Sequence, residues 1–382
     1  MRGLTYAILS ISLLTVMAGA AMAPALGAIK EHFASCSPMT VQLIVSLPAL
    51  FIILTTFAFR PLCRFMRTRT LALVGLSLYV AAGAGAFFVD DIVTLLVLRA
   101  LLGVSVGMIM PLSTGLLSFY FPPEEQSRLM GLSAAMNQMG GVVATLLAGL
   151  LAAVEWRYAF LVYLAGVLAI VLVAAKLPNE QLATRGSRIK LSTLTRFHPS
   201  VTAMLFIMLL FFVYPTNFAL TARQQGVGTL ATTLVMVGLD VVAFFVGLAF
   251  GWLMRNLRRQ MKYAAPLFFL GGYALLAFVP GLAGMLAGSA FLGLANGAGV
   301  PYVNTIASIK GGRDAAVTVM PLISAALYLG QFVSPLIVEP LARTIGGLQA
   351  PYLVAMGIAV LFLAQVFLTR SHHALPPADP SI

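Results

Sequence analysis

Long apolar runs, separated by short polar or glycine- and proline-containing stretches, repeat along the whole 382-residue chain. A bilayer has a hydrocarbon core of about 30 Å, which a helix of about 20 apolar residues can cross. The runs have about this length, so the pattern predicts an all-α polytopic membrane protein with twelve transmembrane helices. The predicted spans are 5–29, 39–59, 70–89, 92–117, 129–152, 157–176, 200–221, 229–252, 263–279, 282–307, 316–338 and 349–369.

Composition supports this prediction and excludes an ordinary water-soluble domain. Hydrophobic residues make up 60% of the chain and charged residues 9%, and the mean hydropathy is +1.00. We interpret the first run as a retained helix, because no small-residue cleavage site precedes a polar domain. Cys36 and Cys63 fall on opposite sides of the predicted membrane, so they cannot pair with each other.

Positive charge indicates the orientation. With both termini in the cytoplasm, 18 of the 23 lysines and arginines lie in inner segments, four lie in outer segments, and Arg99 alone lies within a span. This bias is the positive-inside pattern. The basic loops also account for the net charge of +12 without nucleic acid, and we expect them to face anionic lipid headgroups.

The chain divides into two halves that resemble each other. RALLGVSVGMIMP in the first half aligns without gaps with SAFLGLANGAGVP in the second, so that Gly103, Gly107 and Pro111 fall on Gly293, Gly297 and Pro301. Two six-helix units of the same sense are parallel repeats, an arrangement that places a binding site near the midplane where they meet. The predicted parts are an N-terminal six-helix bundle (1–176), a cytoplasmic central loop (177–199), a C-terminal six-helix bundle (200–370) and a disordered cytoplasmic tail (371–382).

Several short motifs carry a family resemblance. The fourth span has R-x-x-x-G-x-x-x-G through Arg99, Gly103 and Gly107, the fifth has GGVVATLLAG with Gly140 and Gly149, and WRYAF follows. With the twelve spans and the repeat, the chain resembles the major facilitator superfamily from about residue 5 to 370, and most closely its bacterial drug:proton antiporter branch. The resemblance implies two six-helix bundles that alternate access around a central cavity.

Other positions depart from that branch. The family loop G-x-x-x-D-[RK]-x-G-[RK]-[RK] corresponds to FRPLCRFMRT, where Arg64 and Arg67 match but Cys63 replaces the acid. The second-half counterpart, GWLMRNLRRQ, keeps Gly251 and Arg259 and again lacks the acid. On the fifth span, a threonine at 145 stands where antiporters have a proline. These departures leave open a transporter that is not coupled to protons.

Two charged residues fall inside the predicted spans and away from their ends, Arg99 and Asp240. A charge at this depth costs at least ~2.5 kcal/mol, so it is a functional candidate by default. Arginine can only hold charge and donate hydrogen bonds, either to substrate or to neighbouring helices. A desolvated carboxyl group retains its proton more readily, which makes Asp240 a candidate proton carrier; its alternative is a structural hydrogen bond between helices. An interaction between Arg99 and Asp240 is a hypothesis that the sequence alone cannot test.

Uncharged polar residues form a second set of candidates. They concentrate in the fifth, seventh, tenth and eleventh spans, which the resemblance places around the cavity, although each is also suited to a hydrogen bond between helices. Pro215 in the seventh span predicts a broken or bent helix. The substrate-cavity candidates are Asn137, Gln138, Tyr214, Asn217, Asn296, Tyr302, Asn304, Tyr328 and Gln331.

The favoured function is secondary transport of a small organic molecule, with proton-coupled efflux ahead of proton-coupled uptake or facilitated diffusion. No GxxxxGK[ST] loop occurs in the chain, so ATP is not the direct energy source, and we expect a proton gradient rather than a cofactor. An intramembrane lipid-modifying enzyme is a remote alternative, because the four histidines lie in loops or the tail and no metal set is apparent. We expect a monomer in the bacterial inner membrane.

Overall fold

The computed structural model describes residues 2–181, 191–257, 260–311 and 319–369. Within these ranges every regular element is a helix, and twelve segments are long and apolar enough to cross a membrane. The prediction of an all-α protein with twelve spans is therefore confirmed. The predicted disordered tail and Arg259 lie outside the described residues.

Most spans are single α-helices. Short 3-10 segments occur at Ala23–Ala25, Ala86–Phe88 and Trp156–Leu164. The α-helices of the described residues are α1 (Arg2–Ala20), α2 (Leu26–His32), α3 (Pro38–Phe65), α4 (Thr68–Gly85), α5 (Ile92–Tyr120), α6 (Pro123–Val154), α7 (Ala165–Lys176), α8 (Leu191–Gln224), α9 (Thr229–Leu257), α10 (Met261–Phe278), α11 (Gly281–Gly311), α12 (Met320–Ile345) and α13 (Ala350–Leu368).

Local sequence explains where several helices begin. The Ser37 side chain accepts a hydrogen bond from the Thr40 amide at the start of α3, and Asp91 accepts one from the Thr94 amide, 2.8 Å away, at the start of α5. These bonds satisfy amide groups that a helix N-terminus leaves unpaired. The hydrogen bonds from Thr94 also hold the pKa of the Asp91 carboxyl group below its usual value. Pro24 lies in the 3-10 segment that separates α1 from α2, so the first span is two helices and not one.

The eleventh span is longer than the sequence pattern predicts. Its expected end at residue 338 is wrong, because α12 continues to Ile345 and includes Glu339 and Arg343. The helix stops where Gly346 and Gly347 adopt φ values of 74° and 88°, a left-handed conformation that glycine reaches without strain. The first polar residues therefore did not mark the helix end.

Pro215 does not interrupt its helix, since α8 is helical from Leu191 to Gln224. Of the two predicted alternatives, the break is therefore wrong, and the bend stays a prediction. Instead, the tertiary contacts change there. One compact unit comprises Met1–Arg185 and Pro215–Val237, and the other comprises Gly186–Tyr214 and Gly238–Ile382. The C-terminal part of α8 and the N-terminal part of α9 thus belong to the same unit as the first six spans.

Glycines allow close helix packing at equivalent places in the two repeats. In the first unit, a Cβ at Gly103 would meet the Pro48 carbonyl oxygen on α3. In the second, a Cβ at Gly293, the counterpart of Gly103, would lie 2.7 Å from the Leu239 carbonyl oxygen on α9. Because Leu239 is close to the position that the same alignment assigns to Pro48, the repeat seen in the sequence is also a repeat in packing.

Candidate functional site

Arg99 is fully buried on α5, among aromatic side chains of the first unit. Its Nη1 donates to the Tyr163 hydroxyl oxygen at 2.8 Å, and that hydroxyl donates to the Ala18 carbonyl on α1 at 3.0 Å. The guanidinium carbon lies 5.2 Å from the ring centroid of Phe160 and 4.9 Å from that of Tyr163. The charge is therefore held by one hydrogen bond and by two aromatic faces.

Part of the Arg99 guanidinium lacks a protein acceptor. Among the described residues, its buried Nε and Nη2 atoms have no hydrogen-bond partner. In the printed sequence the first six spans contain one acid, Glu31, which lies at the end of its span and binds Arg223 through two short contacts of 2.6 and 2.8 Å. Arg99 thus brings an uncompensated positive charge into the first unit, which is costly without an anionic partner.

Asp240 lies half-buried on α9, in the second unit. Its charge is near enough to act on the hydroxyl of Tyr214 on α8, and Tyr214 Oη is 2.7 Å from Ser289 Oγ on α11. Tyr273 and Tyr352 complete this buried tyrosine cluster, with ring centroids 6.1 Å apart. The structure therefore brings together two predicted site residues, Asp240 and Tyr214, and adds Ser289, which sequence reasoning missed.

Glu339 is a further charged residue that sequence reasoning missed. Its side chain is almost entirely buried on α12, and it accepts a hydrogen bond of 3.0 Å from Nε of Arg343, one turn later. The prediction that Arg99 and Asp240 are the only charges within the spans is therefore wrong. The glycine pair at 346–347 is a sequence signal for the helix end, and a helix extended to this pair would have included Glu339.

Asn137 and Asn217 hold helices together in this structure. Asn137 Oδ1 accepts from Thr15 Oγ1 at 2.9 Å, which joins α6 to α1. Asn217 is buried, and its Oδ1 accepts from Nε2 of the buried Gln42 at 2.9 Å, which joins α8 to α3. Both are contacts within the first unit. Neither Thr15 nor Gln42 was identified from the sequence, because each lies in an otherwise apolar run.

The other cavity candidates differ in exposure. Gln138 is exposed, whereas Tyr302 is buried. Asn296 is half-buried, and its Oδ1 atom has no hydrogen-bond partner among the described residues. Gln331 makes a weak contact, with Nε2 3.7 Å from the sulfur of Met208. Asn304 and Tyr328 are half-buried. Their roles in binding substrate stay predictions.

The motif glycines pack between helices. A Cβ at Gly107 would lie 2.6 Å from the Thr55 Cβ on α3, and a Cβ at Gly140 would meet the Leu13 carbonyl oxygen on α1. Gly149 lies against Thr233 of α9, within the first unit. Pro111 lies inside α5, which stays helical through it.

The loop after the second span has a different contact in place of the missing acid. Arg64 and Arg67 are exposed, and burial raises the pKa of the Cys63 thiol to about 11. The Thr68 amide donates to the Glu180 carbonyl oxygen at 2.8 Å, and Gln181 Nε2 donates to the Arg64 carbonyl oxygen at 2.9 Å. The Glu180 carbonyl and the Gln181 side chain therefore fasten the start of the central loop to this turn. Gly251 on α9 has no atom near its missing Cβ.

The described residues contain no group of three histidine, cysteine or acidic side chains that could hold a metal ion. The first unit carries a fixed cation at Arg99, and the second unit carries carboxyl groups at Asp240 and Glu339. Such charges within spans are typical of ion and substrate pathways.

Comparison with known proteins identifies the family. The model of the Major Facilitator Superfamily matches residues 8–335, and the chain belongs to this superfamily. It is a transporter of that superfamily. A comparison with the curated proteins found no match.

Solved structures support the same fold at low sequence identity. A bacterial homolog of the human lysosomal transporter Spinster, inward-facing and unoccupied, is 15% identical with a TM-score of 0.80, and 98% of each chain is covered. The nucleoside transporter NupG is 14% identical with a TM-score of 0.72, covering 96% of this chain and 99% of that one. A POT family transporter bound to a thioalcohol-conjugated peptide is 9% identical with a TM-score of 0.77, covering 98% and 97%. At these identities the likeness concerns the fold alone.

Proposed function

We propose that the protein is a proton-coupled exporter of a small organic molecule. The observation that carries this proposal is Asp240, a half-buried carboxyl group within a membrane-spanning helix. In such surroundings a carboxyl group can be protonated near neutral pH, so it can exchange a proton for substrate during the cycle. The printed sequence has no phosphate-binding loop for ATP, and a proton gradient supplies the energy instead.

The fixed charge favours substrates with an acidic group. Arginine does not lose its proton in a protein, so Arg99 offers a permanent cation. Its Nε and Nη2 atoms could donate to a carboxylate or phosphate if a change of conformation opened the site. An anionic or zwitterionic metabolite is therefore at least as good a candidate as a cationic drug, in contrast to what the antiporter-like motifs alone favour.

The charge bias supports an orientation with both termini in the cytoplasm, and we propose that the protein lies in the bacterial inner membrane. Its basic inner loops face anionic lipid headgroups, and the two repeats suffice for one transport pathway in a monomer. Proton-coupled uptake is the main alternative. Facilitated diffusion is another, because the loop acid and the proline of the antiporter motifs are replaced at Cys63 and Thr145.

Proteoliposomes provide the test. Purified protein is reconstituted with an acidic lumen and a pH-sensitive dye, and a panel of cationic, neutral, zwitterionic and anionic compounds is added outside. We expect some compounds to release protons from the lumen, and Asp240→Asn to abolish this release. Glu339→Gln is the matched control, since it neutralises the other carboxyl group on the described helices of the second unit, which Arg343 already holds.

The outcomes separate the alternatives. Proton movement into the lumen together with substrate would establish symport and refute export by exchange. Downhill tracer movement without a proton signal, equal in wild type and Asp240→Asn, would show facilitated diffusion. If Glu339→Gln and not Asp240→Asn removed the signal, the coupling carboxyl group would be on α12.

A further inference from the structure

Tyr214 and Ser289 form a buried hydroxyl pair between α8 and α11 of the second unit. Their oxygens are 2.7 Å apart, and either hydroxyl can be the donor. Each side chain has only about 2% of its surface exposed, so the pair is shielded from bulk water. A hydrogen bond in such surroundings responds strongly to a nearby charge.

The pair lies beside Asp240. Gly293 follows Ser289 by one helical turn and brings α11 against the Leu239 carbonyl, which immediately precedes Asp240. The Asp240 charge also acts on the Tyr214 hydroxyl. Three helices, α8, α9 and α11, thus place one carboxyl group and two hydroxyl groups in the same region of the second unit.

The hydroxyl pair can orient in two directions, and the state of Asp240 favours one of them. An ionised carboxylate only accepts hydrogen bonds, so it favours Ser289 donating to Tyr214 and Tyr214 donating towards Asp240. A protonated carboxyl group can donate, so it favours the reverse order, with Tyr214 donating to Ser289. If Tyr214 faces Asp240 in this way, the proton on Asp240 sets the direction of the hydrogen bond between α8 and α11.

We infer that Tyr214, held by Ser289, is a positioning residue that stabilises ionised Asp240 and transmits its protonation to α8 and α11. This inference rests on the proposed coupling role of Asp240. The titratable side chains that share the region are Tyr214, Tyr273 and Tyr352. Besides Asp240, the charged residues that the structure describes on α9 to α13 lie towards helix ends and are Arg255, Lys262, Lys310, Glu339 and Arg343.

The test measures the protonation of Asp240 without substrate or gradient. Dicyclohexylcarbodiimide adds across the O–H bond of a protonated carboxyl group in apolar surroundings, and the adduct rearranges to a stable N-acylurea without loss of atoms. The purified, reconstituted protein is labelled between about pH 5 and 9, and mass spectrometry measures the modified Asp240 peptide. The Glu339 peptide in the same samples is the internal reference, and Asp240→Asn shows the background.

Loss of the Tyr214 hydroxyl should make Asp240 a weaker acid, since the ionised form loses a donor. In Tyr214→Phe we expect the labelling midpoint to move up by about one pH unit, which corresponds to a tenfold change in the protonation equilibrium. Ser289→Ala should move it in the same direction by less. Tyr79→Phe is the matched control, because that hydroxyl donates to the Leu14 carbonyl within the first unit, and its midpoint should equal that of wild type.

Equal midpoints in wild type and Tyr214→Phe would overturn the inference, as would an equal shift in Tyr79→Phe. Wild-type Asp240 that is labelled to the same extent at every pH would also overturn it, since the carboxyl group would not titrate in this range. The expected shifts in the labelling midpoint would support this inference even if vesicles showed no coupled transport. Conversely, coupled transport with unshifted labelling would leave the proposed function intact and remove Tyr214 from it.

Discussion

The two repeats place different chemistry at one equivalent position. The alignment that puts Gly103 on Gly293 also puts Arg99 of α5 on Ser289 of α11. Around each lie tyrosines anchored to the first long helix of the same half, since Tyr79 donates to the Leu14 carbonyl and Tyr273 to the Leu210 carbonyl. Similar aromatic frames therefore surround a permanent cation in one half and a neutral hydroxyl in the other.

This difference indicates a division of labour. The first half carries a charge that pH cannot remove, with no acid beside it among the described residues of its unit. The second half carries Asp240, whose charge a proton can remove, beside hydroxyl groups that can follow the change. A fixed charge is suited to binding an anionic substrate group, and a titratable one is suited to switching. The arrangement of tyrosines is repeated in the two halves, whereas the charged side chains that they accompany differ.

The largest expected effect is the removal of the fixed charge. In Arg99→Met we expect transport of the anionic panel members to fall at least tenfold, since one charge-assisted hydrogen bond contributes about 1.5–3 kcal/mol. The unfolding temperature should stay the same or rise, because the uncompensated buried charge is replaced by an apolar side chain of similar length. Tracer flux and thermal unfolding in detergent measure the two effects.

Arg343→Met is the matched control, since it removes an exposed arginine at the end of α12 and should leave the selectivity for anions unchanged. The opposite pattern for Arg99→Met would contradict the division of labour. If that variant unfolded at a lower temperature while its folded fraction transported anions normally, Arg99 would serve packing through Tyr163 and Phe160.

A smaller effect is expected at the helix contacts that the halves share. Gly103→Ala and Gly293→Ala each place a Cβ against a backbone carbonyl oxygen of a neighbouring helix, so each should destabilise the protein by about 1–3 kcal/mol. Gly115→Ala and Gly238→Ala are controls, because no atom lies within 4 Å of either added Cβ. These should be neutral or slightly stabilising, since alanine favours helix. Thermal unfolding that distinguished Gly103→Ala from Gly293→Ala would show that the two contacts are not equivalent.

The sequence predicted the parts of the fold that depend on length and charge. Apolar runs long enough to cross a bilayer indicated all twelve spans, and the glycines that the repeat aligns lie at equivalent contacts. The partners of the site residues were not predictable. Which side chains meet depends on how each helix is rotated about its axis and packed, and the hydropathy of a segment does not predict this rotation. Tyr163 and Ser289 looked like ordinary members of apolar runs, and Glu339 looked like the start of a loop.

The smallest effect concerns the aromatic frames themselves. Tyr79→Phe and Tyr273→Phe each remove a hydroxyl that donates to a carbonyl of the first long helix in its half, while leaving the ring in place. Each should cost about 1 kcal/mol of stability, the usual net contribution of a hydrogen bond, and the two losses should be equal. Thermal unfolding of both variants measures this. A much larger loss of stability for Tyr79→Phe would mean that Tyr79 also helps to stabilise the buried charge of Arg99, through the ring contact between Tyr79 and Tyr163. The tyrosines of the first half would then have a role that those of the second half lack.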